Sequence, residues 1–122
     1  MELLHKEITG EIIGSAFEVY KELGYGFLES VYQNAMKVEL ELRGFRVELE
    51  SKIHVFYKGI KVGFFEADMF VNESVMVELK VAKEYQKADE AQLLNELKAT
   101  GIKVGLLINF GHAKVDFKRM VY

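Results

Sequence analysis

The sequence predicts a single α+β domain, residues 1–122, in which helices flank a mixed central β-sheet, and three features carry that prediction. The first 42 residues repeat apolar side chains at intervals of three and four, the period of amphipathic helices. Residues 45–81 alternate in strand fashion. A later helix-like stretch then leads into "VGLLINF", which is apolar on both strand faces and so belongs in the covered middle of a sheet. Strand, helix, strand in that order calls for a right-handed crossover between parallel neighbours, so antiparallel hairpins and one parallel pair should coexist.

Each element follows from local signals. Ile8, Ile12, Ala16, Val19 and Leu23 define a first helix over about residues 5–23, with Gly24 as its C-cap. Leu28, Val31, Tyr32, Ala35, Val38 and Leu42 form the apolar stripe of a second, stopped by Gly44. Glu29 falls in its first turn, where the helix N-terminus favours a carboxylate. "FRVELE", "KIHVFY" and "IKVGFFEADMFV" read as strands separated at Ser51 and at Lys58-Gly59, with the first β-region bent or broken. After the turn Asn72-Glu73-Ser74 come "VMVELKV", a helix from about residue 84 to 100 closed by Gly101, "KVGLLINF" and "KVDFKRMVY". The predicted order is ααβββαββ.

The composition narrows the function classes. With half its residues hydrophobic and 29% charged, the chain is an ordinary globular one. The lack of cysteine excludes disulfides and thiolate metal sites. No run approaches the ~18 apolar residues of a membrane span, and "MELLHKEITGEIIG" lacks the layout of a secretory leader, so a cytoplasmic protein is expected. The net charge of −3 argues against a surface that is basic throughout, although bases gather at Lys80, Lys83 and Lys87 and again at Lys114, Lys118 and Arg119. His5, His54 and His112 are scattered, and no glycine-rich loop follows a strand, so neither a histidine site nor a nucleotide cofactor is expected.

The hairpin "FFEADMFVNESVMVELKV" is the anomaly, because it is strand-like yet carries Glu66, Asp68, Glu78 and Lys80. A turn symmetric about Glu73 sets Asp68 opposite Glu78 and Glu66 opposite Lys80, with all four on one face and Phe65, Ala67, Met69, Val71, Val75, Val77, Leu79 and Val81 on the other. Two carboxylates about 5 Å apart repel. A shared proton, Lys80 as counter-ion, or a divalent cation would each offset the repulsion. Two hard oxygen ligands suit Mg²⁺ or Mn²⁺, and with them phosphodiester chemistry through a metal-activated water. The same spacing also fits a solvated sheet face with a surface Glu78–Lys80 pair.

Four blocks in order, "GFLESVY", an Asp on one strand, "ELK" on its partner, and "AQLLNELKATG" with "GLLINFG", resemble the PD-(D/E)XK nuclease superfamily. Within it they are similar to the branch called GxxExxY after Gly26, Glu29 and Tyr32, over roughly Ile8 to Arg119. The resemblance implies a restriction-endonuclease-like αβββαβ core preceded by an extra N-terminal helix. It implies metal binding by Asp68, Glu78 and the Leu79 backbone carbonyl, with Lys80 catalytic. Glu29 would point toward the metal as a ligand or from behind the ligands, Gln92 would orient water or phosphate, and Tyr32 would pack or hold Glu29. Ala67 stands where the superfamily name has proline.

The expected function is therefore hydrolysis of nucleic-acid phosphodiesters, DNA foremost, with Mg²⁺ or Mn²⁺, by a homodimer matched to a two-fold substrate. The alternative is a non-catalytic nucleic-acid- or protein-binding module that uses Lys83, Lys87, Lys114, Lys118 and Arg119.

Overall fold

The structure, a computed structural model, describes residues 5–83 and 86–122. Its elements are α1 (Lys6–Leu23), α2 (Glu29–Leu42), β1 (Val47–Tyr57), β2 (Ile60–Val71), β3 (Val75–Lys80), α3 (Lys87–Thr100), β4 (Val104–Asn109) and β5 (Asp116–Val121). The order matches the expectation. The start expected for the third helix, at residues 84 and 85, lies outside the described residues; α3 begins at Lys87, after Gln86 in extended conformation.

The five strands lie side by side in sequence order. β1–β2, β2–β3 and β4–β5 pair antiparallel, while β3 and β4, joined through α3, are the one parallel pair among them. β1 runs through Ser51 without a break. What the sequence suggests as an interruption is an irregularity beside it, where Glu50 takes a φ of 50°. Lys58 and Gly59, with φ of 50° and 80°, form the two-residue turn whose twist suits a tight hairpin.

Two cores sandwich the sheet. Val75, Val77, Leu79, Leu106 and Ile108 face α1 and α2, where Ile12, Ala16, Val19, Tyr32, Met36 and Leu40 meet them. Met76 and Leu107 face the opposite way and pack on Leu93 and Leu97 of α3. All six residues of β4 are buried, as its uninterrupted apolar run requires. The buried stripe of α2 is Tyr32–Met36–Leu40, an i, i+4, i+8 row. Leu28, Val38 and Leu42, assigned to that stripe from spacing, are exposed, because a period near four drifts across the helix surface and tertiary packing selects a single row. Among the described residues no helix is long and apolar enough to cross a membrane.

Candidate active site

The site is created where β2 leaves β3. Their pairing follows the register expected from the turn, Val71 with Val75, Phe70 with Met76 and Met69 with Val77, and ends there. Beyond Met69, the Asp68 carboxylate takes over the role of a backbone acceptor: its Oδ2 accepts the Leu79 N–H at 2.7 Å. The Asp68 carbonyl accepts from Gln33 Nε2 of α2 at 2.8 Å. β2 continues with β1 alone, so Glu66 lies opposite Lys52. The expected Glu66–Lys80 pairing is thereby overturned, because the strands have already diverged. The strand also turns over at this point: Ala67 packs with Leu93 and Leu97, whereas Met69, of the same parity, packs on the α1–α2 side. The expected single apolar face of β2 is split.

Glu78 and Lys80 share the β3 face that also carries Met76, and α3 lies across it. A small cleft opens between them, with Asp89, Gln92 and Glu96 on the helix and Leu93 and Leu107 as its apolar lining. Lys80 Nζ lies 3.7 Å from the Asp89 carboxylate, its ion-pair partner in place of Glu66. Gln92, expected near the reacting groups, does line the cleft, and its Nε2 donates to Glu96 Oε1 at 3.3 Å.

Glu96 was not picked out by spacing. It is only 7% exposed, and its carboxyl hydrogen-bonds with Gln92 and with Glu78. Its sequence signal was available: one turn after Gln92 on the same helix, it must share that residue's face.

Glu29 enters from the other side, as the first residue of α2. Its carboxyl pKa is raised by burial first and by the Asp68 charge second, with Lys80 pulling it back down. Glu29 thus feels the charges of Asp68 and Lys80 in addition to the field of its own helix end. Gly26, with a φ of 106° that side chains rarely adopt, turns the chain into α2. Tyr32 is fully buried and stacks on Phe110 at 4.4 Å between ring centroids. Its hydroxyl donates to the Gly24 carbonyl at 2.6 Å and accepts from the Phe27 N–H at 3.3 Å. Tyr32 thus fixes the loop from which Glu29 emerges and supports Glu29 through the backbone.

Asp68, Glu78, Asp89 and Glu96 gather around Lys80, and Glu29 feels the charges of Asp68 and Lys80. Glu78 feels the crowding most: burial pushes its carboxyl up to about 9, helped by the negative charges of Asp68 and Glu96 and by a hydrogen bond shared with Asp68, and opposed by Lys80. Glu96 is also raised, by burial above all. With no cation present, Glu78 therefore keeps a proton at neutral pH and shares it with Asp68, one of the three compensations its position demands.

The strand end behind Lys80 is clamped by Asn109, which is buried at the end of β4. Its Oδ1 accepts from the Ala82 and Gly111 N–H groups at 3.0 and 2.9 Å, and its Nδ2 donates to the Ala82 carbonyl at 2.9 Å. Gly111 is obligatory here, since a Cβ would come within 2.3 Å of the Ala82 backbone. Asn109→Ala strands one buried backbone group, the Gly111 N–H, and two half-buried ones of Ala82, and should cost about 2 kcal/mol. Thermal melting should show a drop of several degrees; an unchanged Tm would mean that water replaces the amide.

The remaining predicted bases do not form one patch. Lys83 follows β3, Lys87 opens α3 and Lys114 lies in the β4–β5 connection. Lys118 and Arg119 are consecutive on β5, opposite Leu107 and Leu106, and so face opposite sides of the sheet. His112 is structural: Nδ1 pairs with Asp116 at 2.6 Å and Nε2 contacts the Lys83 carbonyl.

Among the described residues no three His, Cys, Asp or Glu side chains are gathered so as to close on one metal ion. Asp68 and Glu78 form an open pair of hard donors beside Leu79, with one Asp68 oxygen committed to the Leu79 N–H. An incomplete oxygen set of this kind fits Mg²⁺ or Mn²⁺, which keep several waters.

Comparison with known proteins bears on the family and the fold. The family model for the PD-(D/E)XK nuclease superfamily matches residues 6–120. The crystal structure of SSO0001 is similar in fold, with a TM-score of 0.50 at 14% identity over 96% of this chain and 79% of that one. No curated protein matches the chain.

Proposed function

The chain belongs to the PD-(D/E)XK nuclease superfamily, and from that premise we propose that it hydrolyses nucleic-acid phosphodiester bonds, DNA foremost, at Asp68, Glu78 and Lys80. The observation that carries this reading is the strand fork, which brings two carboxyls into contact beside a lysine in a cleft rich in acids. The Gly26–Glu29–Tyr32 spacing fits the GxxExxY branch.

Asp68 and Glu78, with the Leu79 carbonyl beside them, would hold Mg²⁺ or Mn²⁺, which supplies Lewis-acid stabilisation of phosphoryl charge and acidifies water. The residues of the chain do the rest. Lys80, held in the cleft by Asp89, directs its ammonium to a phosphate oxygen on which negative charge builds. Gln92, at the helix side of the cleft, orients water with its amide. Glu29 orders water at the opposite side, and its raised affinity for a proton suits it to accept one there.

The test is Mg²⁺-dependent cleavage of linear, nicked, branched and single-stranded DNA, with RNA in parallel. Cleavage of at least one substrate that vanishes in EDTA is expected. No cleavage of any, together with DNA binding that is insensitive to metal, would return the chain to a binding module.

A further inference from the structure

We infer that the β1–β2 ribbon beyond the fork is a binding arm for single-stranded nucleic acid, which lays the strand toward Asp68; the inference rests on the phosphodiester reading of that site. Between Glu50 and Glu66 the chain has no acid and carries Lys52, Lys58 and Lys61, in a protein of net charge −3. The hairpin is therefore locally basic within an acidic chain.

Three of its aromatic rings are open to solvent. Phe56, Tyr57 and Phe64 are 58%, 63% and 51% exposed. Two of them already carry cations: Lys52 Nζ lies 5.1 Å from the Phe64 ring centroid and Lys58 Nζ 5.4 Å from that of Tyr57. Exposed rings beside ammonium groups are the chemistry that binds unpaired bases by stacking and the backbone by charge. Paired bases would offer the rings no free face, so the arrangement favours a single strand over a duplex.

Position supports the same occupant. β2 is continuous from the turn to Asp68, and Phe64 stands four residues before it, about 13 Å at the strand rise, or roughly four stacked nucleotides. The two-residue turn at Lys58–Gly59 and the cross-strand pairs from Lys52–Glu66 to Tyr57–Ile60 hold the ribbon as one piece. Ala67 and Ile53 pack toward α3, so Phe64 and Lys52 lie on the other face of the ribbon, and a strand bound there would approach the fork from the side of α2 and Glu29.

The test uses the whole protein in EDTA, with a fluorescein-labelled oligo-dT and a duplex of equal length as probes. Wild type should bind the single strand more tightly than the duplex. Tyr57→Ala with Phe64→Ala should weaken single-strand binding roughly ten-fold or more. Lys52→Gln, Lys58→Gln and Lys61→Gln together should lower the slope of log affinity against log salt by about 2. Thermal melting and Mn²⁺ titration calorimetry, both unchanged, would show that fold and cleft are intact. No single-strand binding by wild type, undiminished binding in both variants, or equal loss on duplex and single strand would overturn the inference. So would light scattering showing that the aromatic variant only dissociates a dimer. Ribbon-dependent binding in a protein that never cleaves would sink the nuclease reading and leave the arm standing, whereas cleavage without ribbon-dependent binding would do the reverse.

Discussion

Asp68→Asn and Lys80→Ala should each lower metal-dependent cleavage by at least about 10³-fold while the protein stays folded. The Asn side chain still offers an oxygen to the Leu79 N–H, which Asp68 Oδ2 now accepts at 2.7 Å, so the fork persists and only charge is lost. Lys80 sits at a half-open position, and its pairing to Asp89 at 3.7 Å is loose, so its removal costs little stability. Gln92→Ala, which removes an orienting amide at the cleft wall, should cost nearer ten-fold. Single-turnover rates on the best-cut substrate measure all three. Wild-type rates in Asp68→Asn would show that the fork is a structural device and that the chemistry lies elsewhere.

The second large effect concerns pH. Glu78, Glu96 and Glu29 all have folded-state pKa values raised above those of free carboxyls, Glu78 to about 9. Between the unfolded and folded values the native state binds more protons than the unfolded chain, so stability falls as pH rises through that window. For Glu78 alone, three pH units correspond to roughly 3–4 kcal/mol, or about 10 °C in Tm. The metal-free protein should therefore melt higher near pH 5.5 than near pH 8.5. Glu78→Gln, an uncharged isostere, should flatten the slope and raise Tm at the alkaline end. Mg²⁺ or Mn²⁺ should flatten it in wild type by replacing the proton, and should have little effect in Glu78→Gln. A metal-free Tm that rises across this range would contradict the proton assigned to Glu78.

These expectations concern a region that was only partly legible in the sequence. Glycines and periodicity located the elements, and the turn at Glu73 set the register of Met69, Phe70 and Val71 correctly. Extrapolating that register failed at the next residue, because Asp68 substitutes its side chain for a backbone partner and ends the ladder. Alternation counts residues and has no means of sensing such an exchange. Glu66 was thus assigned to Lys80 when it faces Lys52.

The stripe of α2 failed for another reason. Its apolar residues outnumber the buried row, and only the packing of Tyr32 on Phe110 reveals which row faces inward. Glu96 and Asn109 were missed because their importance is tertiary. One matters through its hydrogen bonds with Gln92 and Glu78, the other through the two backbone groups of Ala82, 27 residues away, and the N–H of Gly111. The ribbon's missing acids, by contrast, were readable from the start; its openness was not, since an exposed aromatic and a buried one look alike in a strand pattern.

On the proposed function, the two carboxyls meeting at the fork hold a divalent cation. Crystals of the protein soaked in Mn²⁺ near pH 7.5 test it most directly. An anomalous peak between Asp68 and Glu78, within ligand reach of the Leu79 carbonyl and absent from Asp68→Asn crystals, is the predicted result. A peak elsewhere, or none at that position when manganese is saturating, would contradict it.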